Sequence, residues 1–235
     1  MQSALQWWLD AGVDVLVDES PRDWLRPSPA PVPAQSAPVE APLAQAPALA
    51  PLPDQIDLFE AYLRTSETLP FAAPSAPRVC PEWNPSADLM ILIDMPAAAD
   101  CTTGSLLSGE AGALFDRMMA AIGRDRSTLY LTALSCLRSP DGRFTPEAAA
   151  QCAALARHHI GLAAPKAVLL FGDSCAKALL DMPMAQARGR WHEIETQAGP
   201  VKTIVTIPPD FLLKRPSAKA HAWADLQMLV EGLKR

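Results

Sequence analysis

The chain has 235 residues, of which 49% are hydrophobic, so it can bury one good core and still carry tails or linkers. Its formal net charge of −6 excludes a surface that is basic overall, because phosphate binding needs a net positive face. No stretch approaches the roughly 20 apolar residues that a membrane-spanning helix needs, so we expect no contact with a membrane.

The cysteines and the first residues both predict a cytoplasmic protein. The five cysteines are odd in number, well spaced and without a C-x-x-C pair, which favours reduced thiols over disulfides or a zinc site. Residues 1–8 have neither the basic start nor the long apolar run of a signal peptide.

Residues 1–26 predict a tryptophan-rich docking arm. Leu5, Trp8 and Leu9 fall at helical spacing, and Gly12 can end the helix. This surface is costly to leave in water, so the arm either packs on its own domain or binds another protein as a linear peptide. We favour the second alternative, with these candidate anchors: Trp7, Trp8, Leu9, Trp24 and Leu25.

Residues 27–53 predict a linker. Nine Pro and eight Ala fill 17 of these 27 positions, and none is aromatic. Such a segment cannot bury enough apolar area to offset its ordering entropy, so we expect a disordered tether.

Residues 54–235 predict an α/β domain. Apolar runs at 88–95, 128–134, 166–172 and 201–207 are typical of strands, and 190–196 of an additional edge strand. Helical patterns cover 54–67, 112–122, 146–162, 174–182 and 218–233. This alternation predicts a three-layer sandwich around a central, mostly parallel four-stranded sheet.

The amino-acid sequences of these elements resemble those of the family 4 uracil-DNA glycosylases, which carry an iron–sulfur cluster. The resemblance is carried mainly by GEAGALFDRMMAAIG at 109–123, TPE at 145–147, RGRW at 188–191 and LLKRPSAKAHAW at 212–223. About 150 residues are covered almost without gaps. The resemblance implies a glycosylase-like fold.

The same resemblance implies that the active site is degenerate. The family's first strand ends in G-E-A-P-G, where this chain has Ile93-Asp94-Met95-Pro96-Ala97, without either glycine. Leu107 aligns with the Phe that stacks on the flipped base, and Ala133 aligns with the Asn that reads uracil. Pro208 replaces the His that polarises the base carbonyl.

One carboxylate remains as a weak catalytic candidate. Asp94 lies near the family's carboxylate position, and Asp100 lies in the following loop, so either can in principle orient a water. The alternative is that Asp94 is a strand-end or capping residue. We expect no efficient uracil excision, because the stacking, reading and electrophilic groups are missing together.

The resemblance also implies that the [4Fe–4S] cluster is lost and that no cofactor replaces it. No cysteine precedes Cys80, which has no cysteine close by in sequence, and Leu137 stands at the third ligand position with Cys136 beside it. Only Cys152 falls where the family has a ligand, whereas the cluster needs four thiolates. We interpret Cys152 as a small buried apolar residue.

A more remote resemblance links the chain to the psi subunit of the bacterial clamp loader, a glycosylase-like fold without an active site. It is carried by residues 8–13 and 24–27 of the arm and by residues 212–223. In that family the N-terminal peptide docks onto the clamp-loader collar, and the domain binds the chi subunit. The resemblance implies a clamp-loader subunit and a chi-like subunit as partners.

Three hypotheses follow. The leading one is a catalytically disarmed adaptor of DNA replication or repair, and the rival is a divergent uracil-DNA glycosylase. The third is weak, nonspecific DNA binding through the basic stretch 188–219. Residues 188–221 hold six basic and three acidic side chains. Its candidate phosphate contacts are Arg188, Arg190, Lys214 and Arg215.

Overall fold

The computed structural model describes residues 52–234, and the predicted arm and almost all of the predicted linker lie outside this range. Eight α-helices are described: α1 (Ile56–Thr65), α2 (Ala98–Thr103), α3 (Gly109–Ala121), α4 (Pro146–Ala163), α5 (Asp173–Leu180), α6 (Met184–Ala187), α7 (Pro209–Lys214) and α8 (Lys219–Leu233). Five strands alternate with them: β1 (Leu89–Ile93), β2 (Leu129–Ala133), β3 (Ala167–Phe171), β4 (His192–Thr196) and β5 (Gly199–Thr206).

The strands form one sheet in the order β2-β1-β3-β5-β4. The four predicted strands are parallel, and β4 adds an antiparallel edge through a hairpin with β5. β1 and β3 are buried along their whole length. Continuous apolar strands of this kind are expected when helices cover both faces of a parallel sheet.

Successive side chains of a strand point to opposite faces of the sheet, so alternate residues belong to two separate cores. On one face, Met90 and Leu92 pack with side chains of α4 and α5. On the other, Leu89 and Ile91 pack with side chains of α3 and α8. The predicted three-layer α/β sandwich and the predicted edge strand are therefore confirmed.

Three short helices were not predicted, namely α2, α6 and α7. They have four to six residues, too few to repeat an apolar position at helical spacing. By contrast, α4 begins where its sequence signals predict. Thr145 caps it by accepting a hydrogen bond from the Ala148 N–H, and Pro146 occupies the first helical position.

Helix α1 is held on the domain by a buried polar network. The Tyr130 hydroxyl, on β2, donates to Glu60 at 2.8 Å and lies 2.6 Å from Nε2 of His159, on α4. Arg64 donates to the other Glu60 oxygen at 3.2 Å. Burial raises the pKa of Glu60, although the bonds from Tyr130 and Arg64 oppose this shift. Neighbouring Phe59 is fully buried, so α1 contributes both apolar and polar contacts.

The protonation of His159 gives the fold a predictable pH dependence. Burial, with a smaller contribution from His158, lowers the pKa of His159 to about 3. In the unfolded chain a histidine titrates near pH 6.5, so below that pH only the unfolded state takes up the proton. The free energy of unfolding should therefore fall by about 1.4 kcal/mol per pH unit between about pH 6 and pH 4 from this group alone.

Urea unfolding across this pH range compares the slopes of the wild type and His159→Gln. In His159→Gln, the free energy of unfolding should lack the part of the pH dependence that His159 contributes. Equal slopes in the two proteins would contradict the buried neutral histidine.

Within residues 52–234, no helix combines the length and the apolar character required to cross a membrane.

Candidate active-site cleft

A cleft of about 610 Å³ opens where β1, β3 and β5 end at their carboxyl termini. Parallel α/β sheets place ligand sites at this edge, because the loops that follow the strands converge there. Three of the four degenerate positions line the cleft: Asp94, Leu107 and Pro208. The fourth, Ala133, lines a separate small cavity enclosed by residues of α1, α4 and β2.

Asp94 follows β1 and faces the amino end of α5. Its carboxylate accepts hydrogen bonds from the Ser174 hydroxyl at 2.9 Å and the Cys175 N–H at 3.3 Å. These groups are at a helix start, where backbone N–H groups lack partners within the helix. Asp94 therefore has the geometry of a capping residue, the alternative that the sequence left open.

The environment of Asp94 shifts the pKa of its carboxyl upward. Burial raises the pKa of this carboxyl, and the charge of Asp210 adds to the shift, while the bonds from Ser174 and Cys175 oppose it.

Gly172 closes one side of the carboxylate. A Cβ at this glycine would lie 3.0 Å from the Asp94 Oδ1, and its φ of +98° also favours glycine.

Leu107 is buried in the loop before α3 instead of presenting a flat face to the cleft. Its side chain packs in the core that includes Phe115, and it is only 9% exposed. Its backbone has a φ of +52°, a left-handed conformation that is costly for leucine. Arg126 stabilises this conformation by donating to the Leu107 carbonyl at 2.6 Å. Gly112 leaves room for the same carbonyl, which would lie 1.8 Å from a Cβ there.

Asp100 lies on α2, where it has a structural role. One of its oxygens accepts the Ala97 N–H at 2.9 Å, and the other accepts the N–H and the hydroxyl of Ser108 at 2.7 and 2.6 Å. The side chain is 2% exposed. Both oxygens are therefore committed to holding α2 against the start of α3, which leaves Asp100 poorly placed to orient a water.

Pro208 lines the cleft at the position immediately before α7. It precedes α7, whose residues Asp210, Phe211 and Lys214 also line the cavity. Its side chain offers no group that polarises a carbonyl, as the sequence predicts. Lys214 and Asp210 lie 3.7 Å apart on α7, and the Arg215 guanidinium lies 5.7 Å from the Phe211 ring centre.

The candidate phosphate contacts do not share one environment. Arg190, Lys214 and Arg215 are exposed. Arg188 instead contacts the buried Asp225 through Nε at 2.8 Å and Nη2 at 2.7 Å. The Thr206 hydroxyl donates to the same carboxylate oxygen at 2.8 Å. Arg188 is thus engaged in the fold, and only the other three candidates are accessible to a phosphate.

Sequence reasoning missed Arg138, which lines the cleft, and Ser174, which donates a hydrogen bond to Asp94. Arg138 follows β2 and donates to the Pro96 carbonyl at 3.0 Å, which joins the loops after β1 and β2. The signal for both was their position, since each is a polar residue just after a strand at the carboxyl edge of the sheet. Neither residue stands in a recognisable motif.

The residues present do not fit a [4Fe–4S] cluster. Leu137, at the third ligand position, is fully buried, and the cavity beside Cys136 and Cys152 measures about 20 Å³, room for one water. Burial raises the pKa of the Cys152 thiol to about 12, although Ser135 opposes the shift. Within residues 52–234, no three Cys, His, Asp or Glu side chains converge as a metal site.

Purified protein should therefore lack an iron–sulfur chromophore. The expected result is a colourless preparation without broad near-visible absorbance, because four thiolates are needed and the ligand positions hold Leu137 and a single aligned cysteine. Iron and acid-labile sulfide assays on anaerobically prepared protein provide the measurement. Stoichiometric amounts of both would overturn this prediction.

Comparison with known proteins places this cleft in a family context. The family model described as the uracil DNA glycosylase superfamily matches residues 80–227. The type-4 uracil-DNA glycosylase of Archaeoglobus fulgidus is 24% identical over 155 residues, which cover 63% of this chain and 78% of that protein. The match to the family model includes all five strands and the cleft, and it leaves α1 and everything before it outside.

Proposed function

Because the chain belongs to the uracil DNA glycosylase superfamily, we propose that it is a disarmed member acting as a protein-binding adaptor in DNA replication or repair. The observation that carries this proposal is the lining of the cleft. A buried Leu107, the ring of Pro208 and a capping Asp94 stand where the chemistry of the superfamily needs stacking, electrophilic and water-orienting groups.

The loss of several groups together matters more than the loss of one. A preorganised electrophilic donor alone contributes about 10²–10³ in rate. Base flipping also needs a stacking partner to offset the cost of unpairing the base. The sheet and its two cores keep the scaffold of the superfamily, and a fold of this kind can carry a binding function in place of chemistry.

The proposed partners are a clamp-loader subunit, bound by residues 1–26, and a chi-like subunit, bound by the domain. Residues 1–26 hold five acidic and two basic side chains along with three tryptophans, a composition suited to a short anchored peptide. The linker of 27 residues lets the arm reach one protein while the domain holds another, which raises the effective concentration without new contacts.

The test is binding of the full chain to purified clamp-loader subunits. Trp8→Ala and Trp24→Ala should each weaken binding at least about tenfold, equivalent to about 1.4 kcal/mol, because buried tryptophans are frequent interface anchors. Isothermal titration gives the affinities. The matched control is Trp223→Ala, which removes a tryptophan that is 42% exposed on α8 and should leave arm-dependent binding unchanged.

A melting experiment separates the two alternatives for the arm. If the arm binds a partner, deleting residues 1–26 should hardly change the melting temperature of the domain. A large decrease on deletion would mean that the arm packs on its own domain, and the docking proposal would fail. Equal affinities of the wild type and both arm variants would also count against it.

The second candidate is a divergent uracil-DNA glycosylase. It is favoured by the Asp94 carboxyl, which lines an open cleft and has a raised pKa, and by the similarity to the archaeal type-4 enzyme. In that case Asp94 would orient the attacking water with Ser174 as its hydrogen-bonding partner.

A further inference from the structure

Two cysteines that are far apart in sequence meet beside α1. Arg78 and Leu137 form an antiparallel bridge, and the adjacent Val79 N–H donates to the Cys136 carbonyl at 2.9 Å. Cys80 is the next residue, and it packs against the small apolar cluster that contains Cys136. Cys80 has no cysteine close by in sequence, whereas in the fold it lies beside the segment that carries Cys136.

The pair lies between two guanidinium groups. Arg78 donates to the Leu63 carbonyl at 3.0 Å, and the Cys136 thiol donates to the same carbonyl at 3.5 Å. Arg64 donates at 2.9 Å to the carbonyl of Pro81, the residue that follows Cys80. Cations near a thiol favour the thiolate, which is the reactive form.

The two thiols also differ in access. Cys80 is half-buried, whereas Cys136 is 6% exposed. A reagent therefore reaches Cys80 first and leaves Cys136 positioned to react second. This arrangement is typical of an oxidisable cysteine next to a resolving cysteine.

We propose that Cys80 and Cys136 form an oxidation site at which a hydroperoxide makes a disulfide between the segment before β1 and the loop after β2. The site is independent of the proposed function, because neither cysteine lines the cleft.

The reaction balances in two steps. The Cys80 thiolate attacks hydrogen peroxide, an S–O bond forms as the O–O bond breaks, and the departing hydroxide takes up the thiol proton as water. Cys80 is thereby oxidised to a sulfenic acid. The Cys136 sulfur then attacks Cys80, the S–S bond forms, the S–O bond breaks, and the second oxygen leaves as water with the Cys136 proton.

The cross-link would act on the cleft through the loop after β2. This loop continues from Cys136 to Arg138, which lines the cleft and bonds the loop after β1. Closing a loop between residues 80 and 136 also constrains the unfolded chain, so oxidation should raise the thermal midpoint.

The experiment uses the reduced full chain, freed of reductant and treated with one equivalent of hydrogen peroxide. Non-reducing peptide mapping by mass spectrometry should show that two of the five thiols are lost. The product should be one linked peptide pair containing Cys80 and Cys136, two hydrogen atoms lighter than the separate peptides. Because this mapping needs no variant, it does not depend on a substitution being tolerated.

Variants identify the order of reaction. In Cys136→Ser, a dimedone probe should label Cys80 as the trapped sulfenic acid, whereas Cys152→Ser should form the same disulfide as the wild type. Cys101 serves as an internal control. It is half-buried on α2 and packs against the core that contains α3 and α8, away from Cys80 and Cys136. Oxidation that falls on Cys101 first, or five thiols that stay free after treatment, would overturn the proposal.

Discussion

Purified protein is expected to leave uracil in single- and double-stranded DNA at the rate of the uncatalysed background. The physical reason is that Leu107, Ala133 and Pro208 offer no stacking face, no base-reading amide and no electrophile. Since one such group alone contributes about 10²–10³ in rate, their combined loss should remove any excision that a gel assay detects. The measurement is the release of labelled uracil from DNA, with an active glycosylase as the positive control.

Two asparagine substitutions make this result informative about Asp94. If excision does appear, Asp94→Asn should abolish it only if the carboxylate orients the water. The matched control is Asp210→Asn, which removes an exposed carboxylate of the same cleft. Activity that is lost with Asp94→Asn and kept with Asp210→Asn would establish the divergent glycosylase and refute the disarmed adaptor.

Arg188→Met is expected to lower the free energy of unfolding by about 3–5 kcal/mol, because it leaves a buried carboxylate without its cation. Asp225 is 1% exposed, and Arg188 contacts it through two nitrogens. Thr206 would remain as a single donor, which does not neutralise the charge. Urea unfolding followed by fluorescence gives the free energy.

Arg190→Met is the matched control, since it removes the same group two residues away on an exposed part of the chain. Its effect on stability should stay within about 0.5 kcal/mol. The double variant Arg188→Met/Asp225→Asn should recover much of the loss, because the buried charge is gone and an acceptor for Thr206 remains. Similar small effects of Arg188→Met and Arg190→Met would contradict the structural assignment of Arg188.

The same pair of variants addresses the DNA-binding hypothesis. If the basic surface binds phosphate, Arg190→Met should weaken DNA binding, and the weakening should decrease at higher salt. Arg188→Met should have little effect under conditions where it stays folded, because Arg188 faces Asp225.

The sequence predicted the order of the main helices and strands because their signals are local. Runs such as residues 166–172 are apolar on both faces, and the Thr145 cap with Pro146 marks a helix start without reference to the rest of the chain. The edge strand before β5 was predicted for the same reason. The short helix α7 was missed, because six residues carry no period and its position depends on its own Leu212 packing with Leu114 and Ala222.

The degeneracy of the cleft was also predicted from the sequence, since it needs only the identity of the residues at aligned positions. What those residues do instead needed distances. Asp94 was open between water orientation and capping, and only its hydrogen bonds with Ser174 and Cys175 place it at the start of α5. Asp100 was a candidate for the same role until both of its oxygens were found occupied.

The sequence by itself determined the fold class, the alternation of elements and the missing chemical groups, because hydrophobic period, capping and side-chain chemistry are properties of short segments. The tertiary structure alone decided which charged groups are paired and which cysteines share one apolar cluster. Arg188 looks like any surface arginine until Asp225, 37 residues later, is buried against it. Cys80 looks isolated until the bridge between Arg78 and Leu137 brings it into the same apolar cluster as Cys136. In both cases the interaction energy depends on the distance between the two groups and on how deeply they are buried. Folding of the whole chain sets both quantities, and the local sequence does not.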